Sequence, residues 1–246
     1  MLNTIINADC FDVFPKIPDE SIDMILCDLP YGTTNNEWDS PLPLDLLWNH
    51  YKRIIKPNGA IVLTAQSPYD KVLGYSNLDM LRYEIIWEKQ KATGFLNARK
   101  MPLKCHENIL VFYKSLPTYN PQMVPGEPYN KGVRKEGNGN GTYRNYKASP
   151  IINESGERFP RSVVRFGTAD SEGETIHPTQ KPVALWEYLI LTYSNPGDTI
   201  LDNCGGSCTT AVAAARCKRN YIVIEKDSDF AAKGKRRLEE MQLTLF

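Results

Sequence analysis

The chain is predicted to be an α/β protein with a doubly wound, mostly parallel sheet and one irregular insert. Three observations predict this. Short apolar runs alternate with helical periodicity at both ends of the chain, the pattern of strand–helix–strand units. Between Ser115 and about Thr175 that pattern dissolves into Gly, Asn, Pro, Tyr and basic residues, and so long a loop inside a compact domain is functional or disordered. Neither a repeat nor a low-complexity linker separates the two regular parts. The expected organisation is therefore one domain built from residues 1–114 and 176–246, with residues 115–175 inserted.

Each regular segment has its own signal. Thr4–Ala8 is a short β-prone run ending at Asp9, and Phe11–Ile17 is a truncated helix closed by Pro18-Asp19. Ile22–Asp28 is an apolar strand that breaks into Leu29-Pro30-Tyr31-Gly32. Leu44, Leu47, Trp48, Tyr51 and Ile55 recur at helical spacing, and Pro57-Asn58-Gly59 is expected to stop that helix. Strands follow at Ala60–Ala65, Tyr83–Trp87 and Asn108–Tyr113, with a short helix over Pro68–Tyr75. After the insert come a helix over Val183–Tyr193, a strand at Thr199–Asp202 and an Ala-rich helix over Ser207–Cys217. A strand at Tyr221–Glu225 and a charged helix over Ser228–Met241 complete the order.

Composition bounds the function. With 246 residues, 41% hydrophobic and 24% charged, the chain can bury a core. Lys+Arg and Asp+Glu both total 29, so any nucleic-acid surface must come from local clustering. No apolar run reaches the roughly 18 residues of a membrane span, and the N-terminal residues are not a signal peptide. A soluble, cytoplasmic protein with thiol cysteines is expected. Cys204 and Cys208 have no second pair nearby and enclose two glycines, so no metal site is expected.

Two strand ends carry the chemistry. Asp28, Leu29, Pro30 and Tyr31 end a buried strand abruptly, at the edge where open α/β sheets bind ligands. Asp202 to Thr210 reads as strand, Gly-containing turn and helix start. Gly205 and Gly206 there let a ligand approach the backbone. Glu225, an acid at the tip of the next strand, suits ribose hydroxyls. The turn is not G-x-G-x-x-G and has no Lys, which disfavours a dinucleotide or a P-loop triphosphate. A tight turn without a ligand is the plain alternative.

With these residues and His177-Pro178-Thr179-Gln180-Lys181-Pro182, the chain resembles the β-class S-adenosylmethionine-dependent DNA amino-methyltransferases. Asp28-Leu29-Pro30-Tyr31 is similar to their D-P-P-Y motif, the hexapeptide matches H-P-T-Q-K-P, and Asp202–Thr210 resembles D-P-F-x-G-S-G-T-T. The order matches too, with the catalytic motif first, the target-recognition region next and the cofactor loop last. The resemblance implies a Rossmann-like methyltransferase fold in circularly permuted motif order. Leu29, Asn203, Cys204 and Cys208 depart from the family pattern, Cys208 standing where a glycine is usual.

The resemblance also implies roles. Asp28 and the Leu29 carbonyl would accept hydrogen bonds from the amine of a flipped-out base, and Pro30 would fix those acceptors. Tyr31 would stack on the base, worth ~1–3 kcal/mol. Asp202, Gly205, Gly206, Ser207 and Thr209 would hold the methionyl end of S-adenosylmethionine, Glu225 its ribose and Asp9 would face its adenine. Thr179, Gln180 and Lys181 would close over the methionine. Asp at position 28 points to adenine N6 as the acceptor. Cytosine N4 is the alternative, and a catalytically impaired DNA-binding protein of the same fold is a third reading.

In the insert, Lys131, Arg134, Lys135, Arg144 and Lys147 are interleaved with tyrosines, which suits phosphate contact with double-stranded DNA. Gln242, Leu243, Leu245 and Phe246 look like the peptide by which bacterial proteins dock on the replication sliding clamp. Monomer and homodimer both remain open. His106-Glu107 is read as structural, and Trp87–Gln90 as scaffolding.

Overall fold

A computed structural model describes residues 1–33, 36, 39–137, 147–173 and 175–243. Among them, Met1–Asn120 with Ser162–Phe246 forms one compact unit and Pro121–Arg161 a second.

The first unit is built on an eight-stranded sheet. Its strands are β1 (Thr4–Asn7), β2 (Ile22–Asp28), β3 (Ile55–Ala65), β4 (Leu81–Thr93), β5 (Lys104–Phe112), β8 (Val163–Phe166), β9 (Thr199–Asp202) and β10 (Asn220–Glu225). Their spatial order is β1-β10-β9-β2-β3-β5-β4-β8. Only β5 runs against the rest, pairing antiparallel with β3 and β4. Helices α1 (Cys10–Val13), α2 (Leu44–Ile54) and α3 (Tyr69–Tyr75) pack on one face, and α4 (Val183–Tyr193), α5 (Thr209–Arg216) and α6 (Ser228–Leu243) on the other.

Strand β2 shows why the apolar runs are continuous. Met24 and Leu26 face the α4–α6 core, while Ile25 and Cys27 face the α1–α3 core. A strand covered on both sides has no polar face. At the middle of the sheet β2 lies beside β9. The chain leaves β2 toward β3 and leaves β9 toward β10, in opposite directions across the sheet. A crevice opens at the carboxyl ends where strand order reverses. Asp28 and Asp202 stand at those two strand ends.

The structure revises four expectations. Pro57-Asn58-Gly59 does not separate helix from strand, because β3 begins at Ile55 and runs through all three residues. Ser21 and Glu20 nitrogens donate to the Ile54 and Arg53 carbonyls, so the end of α2 is satisfied by the entry to β2. Strands β4 and β5 are longer than expected and form a hairpin. The region 115–175 is not wholly irregular: Val163–Phe166 returns to the main sheet as β8, paired with β4. The compact inserted unit is narrower, Pro121–Arg161, and holds an antiparallel pair of its own, β6 (Tyr129–Arg134) and β7 (Ser149–Asn153).

Another pairing explains the unusual Cys208. The residue adopts the left-handed conformation, φ 55° and ψ 34°, at the start of α5, which glycine takes without steric cost. Its thiol is buried against Gly234 in α6, where any Cβ would collide with Cys208 Sγ and lie 2.8 Å from Cys208 Cβ. A glycine inside a helix costs about 1 kcal/mol relative to alanine, so α6 yields stability to make room for the thiol. Gly234→Ala is therefore expected to destabilise the protein by about 1–3 kcal/mol through overpacking. In a Cys208→Gly background the same change should stabilise by up to about 1 kcal/mol. A double-mutant cycle in urea measures this, and an equal cost in both backgrounds refutes the coupling.

Candidate active site

A cavity of about 900 Å³ opens at the carboxyl ends of β2 and β9. Its walls bring together Asp28–Tyr31, the 177–181 segment, the 202–209 loop and Glu225, residues far apart in sequence.

Asp28 is held from three sides. The Tyr31 and Thr64 hydroxyls donate to Oδ1, the latter at 2.5 Å, and the Lys181 ammonium donates to Oδ2. Thr64 lies opposite Asp28 in the β2–β3 register, so sheet pairing delivers this donor. A carboxylate accepts about four hydrogen bonds, so three donors leave one acceptor site for an incoming group. The turn after Asp28 is fixed by Asp39, which accepts from the backbone nitrogens of Tyr31, Gly32 and Thr33 at 2.7–2.9 Å. Gly32 takes φ 67° there, a conformation that favours glycine. The Leu29 side chain is buried in the α1–α3 core, so a leucine in place of proline is accommodated by packing. Pro30 follows it at the cavity wall. One face of the Tyr31 ring is against Tyr69, 5.5 Å between centroids.

Lys181 lines the cavity, where its buried ammonium pairs with Asp28 and lies 3.6 Å from Glu107 Oε2. Glu107, on β5, also accepts from Lys89 at 2.5 Å. Burial alone pulls the Lys181 pKa down, but the charges of Asp28 and Glu107 outweigh it and hold the ammonium above its usual range. Burial likewise pushes Glu107 up, and Lys181 and Lys89 overcome that to keep its carboxyl below its usual value. Thr64, Glu107 and Asp39 were missed as site residues. Only the acid in His106-Glu107 gave any signal, and it was read as structural.

The other wall is the 202–209 loop. Asp202 is buried, accepting from the Thr210 hydroxyl at 2.5 Å and the Cys204 nitrogen at 3.0 Å. Burial pushes its pKa up to about 6, so it is an anion at neutral pH that would gain from a cation in the cavity. Gly205 fits against β10, where a Cβ would strike Val223. Gly206 instead faces the His177 ring, 3.6 Å from where its Cβ would be. Ser207 and Thr209 are buried and bonded to one another at 3.1 Å. The Arg237 guanidinium of α6 donates to the Thr209 hydroxyl and the Ser207 carbonyl.

Glu225 serves the loop as well. Its carboxylate accepts from Gly206 N at 2.6 Å and Asp227 N at 2.7 Å. Asp9 does not end β1. It caps α1, accepting from Phe11 N at 3.0 Å, and pairs with Lys226. Thr179 contacts the His177 ring and Gln180 accepts from Ile176 N. Glu172 caps α4 by accepting from Val183 N and Ala184 N at 2.6 and 2.9 Å. Among the described residues no three His, Cys, Asp or Glu side chains converge as metal ligands.

A family model described as DNA methylase matches residues 22–236, almost the whole span from β2 into α6. The chain belongs to that family. The methylase is 30% identical over 255 residues to the DNA adenine methyltransferase YhdJ of Escherichia coli (strain K12), covering 96% of this chain and 82% of that one. It is 28% identical over 283 residues to the type II methyltransferase M.HinfI of Haemophilus influenzae, covering 98% and 69%. Its fold matches the M1.HpyAVI–SAM complex with TM-score 0.66 at 22% identity, covering 96% of this chain and 99% of that one. The cytosine-N4-specific PvuII DNA methyltransferase gives 0.68 at 18%, covering 97% and 89%. The fold is thus shared with a cytosine-N4-specific enzyme. The methylase uses S-adenosylmethionine, and the cavity suits it, with a buried acid at Asp202 for a cationic ligand and the Gly205-Gly206 turn in its wall.

In the second unit, Lys131, Arg134, Lys135 and Lys147 are exposed. Lys131 and Arg158 lie over the Tyr129 ring, at 5.1 and 4.7 Å, and Arg158 also donates to the Gly156 and Glu127 carbonyls. Arg158 is therefore a strut between the ends of that unit. Arg144, Leu245 and Phe246 lie outside the described residues, as do the side chains of Gln242 and Leu243.

Proposed function

We propose that this methylase transfers a methyl group from S-adenosylmethionine to N6 of an adenine flipped out of duplex DNA. The observation that carries the reading is Asp28, oriented by three donors and sharing one cavity with Asp202. The exocyclic amine is a poor nucleophile because its lone pair is delocalised into the ring. The remaining acceptor site of Asp28 and the Leu29 carbonyl together would take the two N6 hydrogens and pull the nitrogen toward a tetrahedral shape. S-adenosylmethionine supplies an electrophilic methyl on a sulfonium, and Asp202 favours the cationic end of that molecule. Transfer is then direct and rests on alignment. Lys181 holds Asp28 in one orientation while supplying positive charge beside it, and Tyr31, half-buried at the cavity wall, offers its ring edge and face to the base.

Adenine is favoured over cytosine N4 by the acid at position 28 and by the adenine methyltransferase named among the relatives. Tritium transfer from labelled cofactor into DNA, followed by nucleoside digestion, separates the two. Asp28→Ala should lower transfer by at least about 100-fold while leaving S-adenosylmethionine binding by calorimetry largely intact. Wild-type turnover in that variant sinks the assignment.

The inserted unit is read as the region that recognises the target sequence. What supports it is exposed cationic charge beside tyrosine on a separate hairpin. Arg134→Ala with Lys135→Ala should reduce the slope of log binding constant against log salt by roughly 0.9 for each phosphate no longer neutralised. An unchanged slope argues against it. Gln242, Leu243, Leu245 and Phe246 are read as a docking peptide for the replication sliding clamp, on the strength of their sequence alone. Pull-down by a bacterial clamp should recover the full chain and lose a chain ending at Met241, and equal recovery refutes the docking.

A further inference from the structure

The β4–β5 hairpin is not used by the chemistry described so far. It grows out of the same sheet edge as Asp28. Ala65, at the carboxyl end of β3, pairs with Asn108 of β5, and Asn108 with Ile86 of β4. Beyond that point the two strands continue without β3, through Trp87–Glu107 and Glu88–His106 to Thr93–Lys104. From Glu107 to Lys104 is three residues, about 10 Å of strand, and residues 94–103 project further still. Glu107 lines the cavity with Asp28 and meets Lys181, so the root of the hairpin borders the site.

Its tip is apolar and exposed among the described residues. Gly94, at φ 93°, turns the chain into a 3₁₀ turn over Phe95–Asn97. Backbone bonds then lock the tip: Asn97 N to Gly94 O, Ala98 N to Phe95 O, and Lys100 N and Met101 N to Asn97 O, all 2.8–3.1 Å. Yet Leu96 is 100% exposed, Phe95 73% and Met101 51%. Isolated exposed apolar residues are ordinary, but a cluster of large ones on a rigid projection marks an interaction site. Arg99 and Lys100 are exposed beside them and form no ion pair among the described residues. Apolar side chains at a cationic tip suit a partner with negative charge outside and apolar surface within. Stacked duplex DNA has that make-up, and proteins that kink it insert Phe, Leu, Met or Pro between base steps.

We propose that the hairpin tip inserts Phe95 and Leu96 as a wedge into the duplex beside the target base, with Arg99 and Lys100 on the flanking phosphates. The proposal rests on the reading of the protein as a DNA methylase. Extruding a base leaves a gap in the stack and costs unstacking energy, and an apolar wedge carried on the strands that border the cavity fills that gap. The hairpin thereby contributes to base flipping without touching the reacting atoms.

Two measurements on the full-length chain test it. In Phe95→Trp, the new indole is expected to be quenched by excess sheared genomic duplex DNA, relative to the same titration of wild type. In Phe95→Ala/Leu96→Ala, tritium transfer into that DNA should fall at least about tenfold in kcat/KM, the size expected for removing a side chain that stacks on a base. Cofactor affinity, circular dichroism and gel-filtration volume should not change. Absence of quenching overturns the wedge, as does normal transfer by the double variant. A shift from dimer to monomer in the double variant also overturns it, because the tip would then be an interface between copies of this chain. If wild type transfers no methyl to any DNA while Phe95→Trp is still quenched, the proposed function fails and the wedge survives as a DNA contact.

Discussion

A lysine ammonium taken out of water must meet negative charge, and Lys181 meets two carboxylates, Asp28 and Glu107. That requirement ties three parts of the chain together. Asp28 ends β2, Glu107 lies on β5, and Lys181 precedes α4. Breaking a buried pair by removing one partner leaves an uncompensated charge and typically costs about 3–5 kcal/mol. The convergence of these elements is thus enforced, and with it the width of the cavity. Lys89 extends the network by pairing with Glu107 from β4. Four charges of alternating sign, Asp28, Lys181, Glu107 and Lys89, line up across the sheet edge. Asp28 gains a fixed orientation from this as well as from Tyr31 and Thr64.

The cofactor side of the cavity obeys a different constraint, backbone shape. Glu225 and Arg237 spend their polar atoms on the 202–209 loop itself, holding Gly206 N, Ser207 O and the Thr209 hydroxyl. Cys208 takes the left-handed turn that a glycine would make more cheaply, and Gly234 gives the space its thiol needs. A departure from the usual loop is therefore absorbed by α6, a helix with no residue in the motif. The loop keeps its geometry, and Asp202 keeps its place at the tip of β9. Such a pair acts through shape alone, without any polar contact between the two residues.

How much of this was legible in the sequence depends on the range of each interaction. Strand β2, helix α4 and strand β9 follow from local apolar patterns, and the site's two poles follow from the residues that end those strands. Thr64 could not be seen, because a threonine in an apolar run gains its role only from the β2–β3 register. Asp39 could not be seen because its three partners are backbone nitrogens. Lys181 was found, but its pairing with Asp28 and Glu107 could not be seen, since Glu107 lies on another strand. Pro57-Asn58-Gly59 looked like a stop signal, and local chemistry supports that reading. Pairing with β2 overrides it: Met24 is matched with Ala60, after a shift in register that takes up the intervening residues.

The lone reversed strand gives the sheet a feature that a wholly parallel one lacks. Parallel neighbours are joined by crossovers of a dozen or more residues, usually a helix on one face. Because β5 runs against β3 and β4, it joins β4 by a hairpin, and that hairpin turns at the carboxyl edge, where the ligands of such sheets bind. The reversal therefore puts a stiff projection beside the cavity without lengthening any βα loop. The same strand carries Glu107 at its root. That acid faces Lys181, which pairs with Asp28. One change of strand direction thus puts a projecting hairpin and a member of the Asp28 charge network on the same strand pair.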